Sequence, residues 1–283
     1  MASARRRRRR RVAGSKRSGG DDTQALVRCA AAGDKGRVQP VFRFARSSLQ
    51  TLVDFALPPR CAGCSAIVAT VDTFCERCWP KLDFLRGGCT TCGIPLEATE
   101  ADHCGACLAS PPVIDRTRAV LGYDDTARQL ALNLKYGRKV ALARTMARYM
   151  DGLRGEWGDE AVIVPVPLHR RRLWWRGFNQ AGLVARHLSR RWSLPVDNRL
   201  LVRRRPTRSL KGLTQHQRRE AVRGAFAVRG GADVKGRTVV LIDDVLASGA
   251  TSDGCARALR KAGAARVELV TWARVVRPAH LVR

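Results

Sequence analysis

The sequence predicts an α/β fold, a mostly parallel sheet flanked by helices, preceded by a small cysteine-rich module. Three observations lead there. After residue 113, short apolar runs alternate with stretches of helical periodicity, the pattern of strands joined by helical crossovers. Before residue 110, eight cysteines form four CxxC pairs. Near the C-terminus, VVLIDDVLASGAT (239–251) ends an apolar run on two carboxylates and a loop of small residues.

In order along the chain, residues 1–40 read as a disordered basic tail: MASARRRRRRR, then Gly/Ser, then an Ala-rich patch. Much of it is compatible with an over-extended reading-frame start. VFRFARSSLQTLVDFAL (41–57) has apolar residues at helical spacing and stops at Pro58-Pro59. With the cysteines it makes a module over 41–112. The α/β domain then spans 113–276, and 277–283 form a C-terminal tail. Within the domain a strand is expected near 117–123, with helices at 125–135 and 140–153. AVIVPVPL (161–168) reads as a buried strand running into a loop. In 178–191, Phe178, Ala181, Val184, Ala185 and Leu188 share one helical face. A strand at 238–242, a helix at 251–262 and a strand at 266–272 complete the pattern. Ligands of such a sheet bind at the carboxyl ends of its strands.

The 283 residues carry a formal net charge of +29, unevenly spread. Residues 1–20 hold nine basic side chains and no acid, whereas 168–229 hold 17 Lys/Arg against Asp197 and Glu220 alone. The second block lies in folded sequence, so it points to a polyanion: nucleic acid or a phosphorylated metabolite. For most single arginines there a solvated surface position is the plainer reading. Trp174 and Trp175 sit among them, suited to stacking on bases, although core packing is expected for at least one. No apolar run approaches the ~18–20 residues of a membrane helix. None follows the arginine run, as a secretory signal would require, so a cytoplasmic location is expected.

In a reducing compartment CxxC pairs hold metal more often than disulfides. Cys61/Cys64, Cys75/Cys78, Cys89/Cys92 and Cys104/Cys107 supply two complete sets of four thiolates, the tetrahedral demand of structural Zn²⁺. The knuckles are separated by ten, ten and eleven residues. That spacing admits sequential or interleaved pairing, and the simplicity of tandem ribbons favours the sequential one. His103 is unnecessary as a ligand beside eight thiolates, and Cys29 and Cys255 read as spectators.

VVLIDDVLASGAT lacks both the GxxxxGK[ST] loop and the GxGxxG fingerprint. What remains is a strand, two acids and a small-residue turn whose backbone N–H groups and following helix can cradle a phosphate. Gly249 suits the positive φ such a loop needs, and Ser248 and Thr251 add hydroxyls. Asp243 and Asp244, emerging at the strand end, are placed to accept ribose 2′- and 3′-hydroxyls. At a strand end their replacement by Asn should leave the fold intact.

The stretch resembles the phosphoribosyl pyrophosphate (PRPP) loop of type I phosphoribosyltransferases. From Pro58 to about Arg274 the chain is similar to the ComF family, a double zinc ribbon joined to a type I phosphoribosyltransferase domain. PPRCAGC (58–64), LKYGRK (134–139), PVPLHRRRLWWRGFNQA (165–181), TRSLKGLTQHQRREAVRGAF (207–226) and the Asp-Asp loop occur in the family's order. The resemblance implies PRPP binding with Mg²⁺ at Asp243, Asp244, Ala247, Ser248, Gly249, Ala250 and Thr251. It implies a pyrophosphate loop at Pro165, Val166, Pro167, Leu168 and His169 with Arg176 close by. A flexible loop over roughly 203–223 would close on the ligand, with Lys211 and Arg218 as candidate catalytic or phosphate contacts. Ala247 and Ser248 stand where the family usually has a Thr pair, and Leu210 and Ala221 where Gln and Asn are common. Ala247 also replaces the acid that acts on the base in 6-oxopurine enzymes, which argues against that chemistry. The implied function is a role in DNA uptake and competence, with single-stranded DNA and other DNA-processing proteins as partners. A non-catalytic, PRPP-responsive DNA-binding protein and a nucleotide-salvage enzyme are the alternatives.

Overall fold

The protein is described from a computed structural model over residues 58–96, 101–137, 139–207 and 212–276. The basic tail, the helix expected at 41–57, Cys29, Leu210, Lys211 and the C-terminal tail lie outside the described residues. In chain order the elements are α1 (Gly105–Ala109), β1 (Arg116–Gly122), α2 (Asp125–Lys135), α3 (Leu142–Met150), β2 (Val162–Pro165), α4 (Arg170–Arg176), α5 (Gln180–Trp192), β3 (Leu201–Arg203), α6 (Gln215–Val222), β4 (Phe226–Val228), β5 (Thr238–Leu246), α7 (Ala250–Lys261) and β6 (Arg266–Arg274).

The apolar runs become a four-stranded parallel sheet in the order β1–β6–β5–β2. A parallel sheet must be covered on both faces, and it is. One face packs under α2, α3 and α5 through Leu130, Leu134, Met146 and Leu188. The other packs under α7 and the antiparallel β3–β4 pair through Cys255, Leu259 and Phe226. Cys255 is thus a core side chain. The helices start where side chains can satisfy free N–H groups: Asp124 caps α2 by accepting from Ala127 N at 2.6 Å, and Thr214 and Gln217 close a capping box on α6.

The cysteine-rich module docks on the sheet edge. Leu85 N donates to Val120 O (2.9 Å), Gly122 N to Asp83 O (2.8 Å) and Thr117 N to Thr91 O (2.7 Å). These bonds cap backbone groups that β1 would otherwise expose. At Gly93, with φ +68°, a Cβ would stand 2.5 Å from Thr117 O, so only glycine permits this approach. Phe74, Trp79 and Phe84 surround Tyr149 of α3 at ring separations of 5.4, 6.0 and 6.1 Å.

Several expectations need correction. The strand expected over 238–242 continues to Leu246, because β6 runs beside it in register and pairs Asp243 with Thr271 and Leu246 with Arg274. The acids therefore lie within the sheet. Pro165, expected in the pyrophosphate loop, belongs to β2, and the arginines that follow that loop open α4. The segment 203–223 includes α6. Trp174 and Trp175 are both exposed, at 86% and 68%, because α4 meets the core only through its last residue, Arg176. Neither packs in the core.

Candidate functional site

Two four-thiolate centres form at the module. Cys61, Cys64, Cys75 and Cys78 make one cluster and Cys89, Cys92, Cys104 and Cys107 the other, with all sulfurs of a cluster within 4.8 Å of one another. The pairing is sequential. A tetrahedron with Zn–S of about 2.3 Å separates its sulfurs by roughly 3.8 Å; Cys64 and Cys75 Sγ lie 3.6 Å apart, and Cys92 and Cys104 Sγ 3.7 Å. Burial disfavours the Cys61 and Cys89 thiolates, yet knuckle N–H groups, including Cys75 N at 3.2 Å and Cys92 N at 3.5 Å, bring both down to about 6. Burial and the neighbouring sulfurs push Cys78 up to about 12 and raise Cys107 as well. Four sulfurs crowded this way resist holding four charges unless a cation joins them, so the residues fit structural zinc. His103 Nε2 pairs with Thr90 Oγ1 at 3.2 Å, outside the sulfur set.

At the carboxyl ends of the central strands, the acid pair splits its duties. Successive strand residues point to opposite faces. Asp244, 4% exposed, turns toward α2 and meets Lys135 Nζ at 2.5 Å. Burial opposes the charge of Lys135, but the Asp244 carboxylate holds its pKa above the ordinary lysine value. Asp243 Oδ1 accepts the Asp244 N–H at 2.9 Å. Burial first, and the Asp244 carboxylate second, push Asp243 up to about 8.

Beyond β5, Ala247 is exposed while Ser248 and Thr251 are half-buried. Gly249 adopts φ +77° and N-caps α7, whose first residue, Ala250, is buried. Asp253 N and Ser252 Oγ both bond Gly249 O. The turn leaves a helix N-terminus facing the strand ends, a setting that favours an anion.

β2 lies beside β5, and Val166 N donates to Ile242 O at 2.9 Å. The two sequence-predicted loops therefore sit side by side. Val166 and Pro167 are buried and Leu168 and His169 half-buried; Asn179 Nδ2 holds Val166 O at 3.0 Å, and His169 Nδ1 accepts the Arg171 N–H at 3.3 Å. Arg176, 9% exposed, donates to Gln180 Oε1 at 2.5 Å and lies over the Tyr136 ring at 5.1 Å. Its Nε is buried without a protein partner. Arg218 donates to Leu213 O at 2.9 Å and lines a cleft shared with Ala247, Ser248 and Gly249. The reading of the residues did not single out Lys135, Tyr136 or Arg274. Lys135 and Tyr136 stand in the quoted LKYGRK motif, which was the available signal; nothing local marks Arg274.

The family model of the double zinc ribbon domain matches residues 52–108, and that of the phosphoribosyl transferase domain matches 140–280. The chain is similar to "Competence protein F" of Haemophilus influenzae, with 32% identity over 66% of this chain and 84% of that protein. It is similar to "DNA utilization protein YhgH" of Escherichia coli K12, with 31% identity over 74% of this chain and 87% of that protein. "Competence protein ComFC" of Bacillus subtilis matches with 27% identity over 68% of this chain and 79% of that protein. Among the described residues no helix is long and apolar enough to cross a membrane. With both domain matches, the paired cysteine centres and the parallel sheet in agreement, the chain belongs to the ComF family.

Proposed function

We propose that the domain binds PRPP with Mg²⁺ and serves DNA uptake or utilisation in the cytoplasm, the role that the relatives' names suggest. The observation carrying this reading is the convergence of the Asp243-Asp244 pair, the Gly249 turn and the half-satisfied Arg176 guanidinium around the adjacent ends of β5 and β2. Asp243 would accept a ribose hydroxyl, the turn would hold the 5′-phosphate, and Arg176 with the 165–169 loop would face pyrophosphate. If transfer occurs, the anomeric C–O bond to pyrophosphate breaks and pyrophosphate leaves with the electron pair. A nitrogen of the acceptor bonds to that carbon and loses any proton to solvent, with Mg²⁺ neutralising the leaving group. Pyrophosphate release with an added acceptor separates an enzyme from a PRPP-responsive binder.

Calorimetric titration of Mg²⁺–PRPP tests the reading. Asp243→Asn should weaken binding at least tenfold, since hydrogen bonds to charged groups contribute about 1.5–3 kcal/mol each. The neutral Asp243 of the free site, with its pKa raised to about 8, must ionise to meet the cation. Binding should therefore release up to one proton below pH 8, and affinity should rise with pH until about 8 and then level. Unchanged affinity in a folded Asp243→Asn protein would remove the loop as a PRPP site.

Single-stranded DNA is the second ligand we propose. A cleft of about 1170 Å³ beside the pyrophosphate loop is lined by Arg170, Arg186, Arg199, Arg203, Arg204 and Arg229, with no acidic side chain among its lining residues. Exposed Trp174 and Trp175 offer stacking surfaces nearby on α4. In the full chain, the triple variant Arg199→Glu, Arg204→Glu, Arg229→Glu should lower the salt slope of binding by roughly 2, at ~0.7 per phosphate contact. Fluorescence anisotropy across a salt series reads this directly, and an unchanged slope would place the DNA elsewhere.

A further inference from the structure

Positive charge does not end at the arginine-lined cleft. That cleft is bounded by Leu201, Val202 and Arg203 of β3 and by Arg204 after it. β4 pairs with β3 and sets Phe226 opposite Arg203, and neighbouring strands lie only about 4.8 Å apart. Phe226 in turn lines a separate groove of about 490 Å³ between α6 and α7. Arginines stand where the two meet. Arg204 N donates to Ala225 O at 2.8 Å, and the Arg205 guanidinium donates to the Arg223 carbonyl. Arg204, Arg205 and Arg223 are all exposed. The groove beyond holds Arg219, Arg223, Arg257 and Lys261 against Glu220 and Asp253. Glu220 pairs with Arg223 at 3.7 Å and Asp253 is half-buried, which leaves Arg219, Arg257 and Lys261 as exposed cations along the rim. Arg257 and Lys261 are four residues apart on α7 and so share one face. Cations gathered this densely repel one another, and a polyanion laid across them removes that cost.

We infer that single-stranded DNA follows one continuous track, leaving the first cleft, crossing the β3–β4 pair at Arg204, Arg205 and Arg223, and running into the groove between α6 and α7. The inference rests on the DNA reading above and adds a second leg to it. A strand fits because its charges repeat along a line. A compact anion would occupy one groove and leave the other empty.

The test compares oligothymidylates of about 4 and about 16 nucleotides, the range of lengths that single-strand grooves accommodate. Anisotropy across a salt series is measured on the full chain and on the double variant Arg257→Glu, Lys261→Glu. Both side chains are exposed, so the fold should be kept, and the Arg257→Gln, Lys261→Gln protein guards against a folding defect. With the longer strand each double variant should bind at least fivefold more weakly and lose about 1.4 from the salt slope, at ~0.7 per phosphate contact. With the shorter strand, affinity should stay within twofold of wild type. Long-strand affinity and slope unchanged in both double variants would overturn the track and leave the first cleft as the DNA site. Equal losses at both lengths would also overturn it, making the α6–α7 groove a separate site. Short-strand binding that survives the triple variant Arg199→Glu, Arg204→Glu, Arg229→Glu would overturn the first-cleft reading, and no binding by wild type at low salt would overturn both.

Discussion

Removal of zinc should collapse more than the two ribbons. Structural sites of this kind contribute apparent binding free energies of about 10–16 kcal/mol in finger peptides, more than the whole stability of many domains. Here the ribbons also cap the backbone of β1 through the Asp83–Leu85 and Thr91 bonds. They cover Tyr149 with Phe74, Trp79 and Phe84. Without metal, β1 regains an open edge and α3 loses an aromatic cover. The protein purified without chelator should contain about two zinc ions per chain, one for each four-cysteine cluster. A strong chelator should release eight titratable thiols and lower the melting temperature of the whole chain. Elemental analysis, thiol titration and a thermal melt check this together. Absence of zinc from folded protein whose eight paired thiols all titrate would refute it.

The second large effect falls on Lys135. Lys135→Met leaves the Asp244 carboxylate, 5% exposed at its side chain, buried without its cation. Breaking one partner of a buried pair costs about 3–5 kcal/mol, so denaturant unfolding should show a loss of that size at neutral pH. Pairing the change with Asp244→Asn removes the orphaned charge and should recover more than half of the loss. Additive losses in the double variant would mean that the ion pair does not couple the two sites. The same pair revises the expectation that both acids could be neutralised without harm to the fold. That holds for an acid at a solvated strand end, whereas Asp244 is the anchor of α2 against β5.

The elements most legible in the sequence were those whose signal is local. The helix over 125–135 coincides with α2, and the strand–helix–strand run from 238 onward appears as β5, α7 and β6, because periodicity and apolar runs reflect burial on one or two faces. The positive φ at Gly249 was readable because a small-residue turn before a helix demands it. The β3–β4 pair was not read, since three-residue strands carry too little pattern. Helix α4 was missed because RRRLWWR has no apolar face, and it buries only Arg176.

The residue types at the site and the number of thiolates were determined by the sequence alone. Eight cysteines in CxxC pairs already imply two tetrahedral centres, and the acid pair before a small-residue turn is the local pattern on which the PRPP proposal rests. Which knuckles pair was decided only in three dimensions, because evenly spaced ligands satisfy either arrangement until the backbone brings four sulfurs within 4.8 Å. The tertiary structure likewise separated the two acids. One strand's alternation sends Asp244 to Lys135, 109 positions earlier in the chain, and leaves Asp243 beside it with its pKa pushed up to about 8 by burial and by the Asp244 carboxylate. It also brought Arg274 to Cys92, 182 positions away. Such pairs form where parallel strands and a docked ribbon place distant segments side by side, and no local spacing records that.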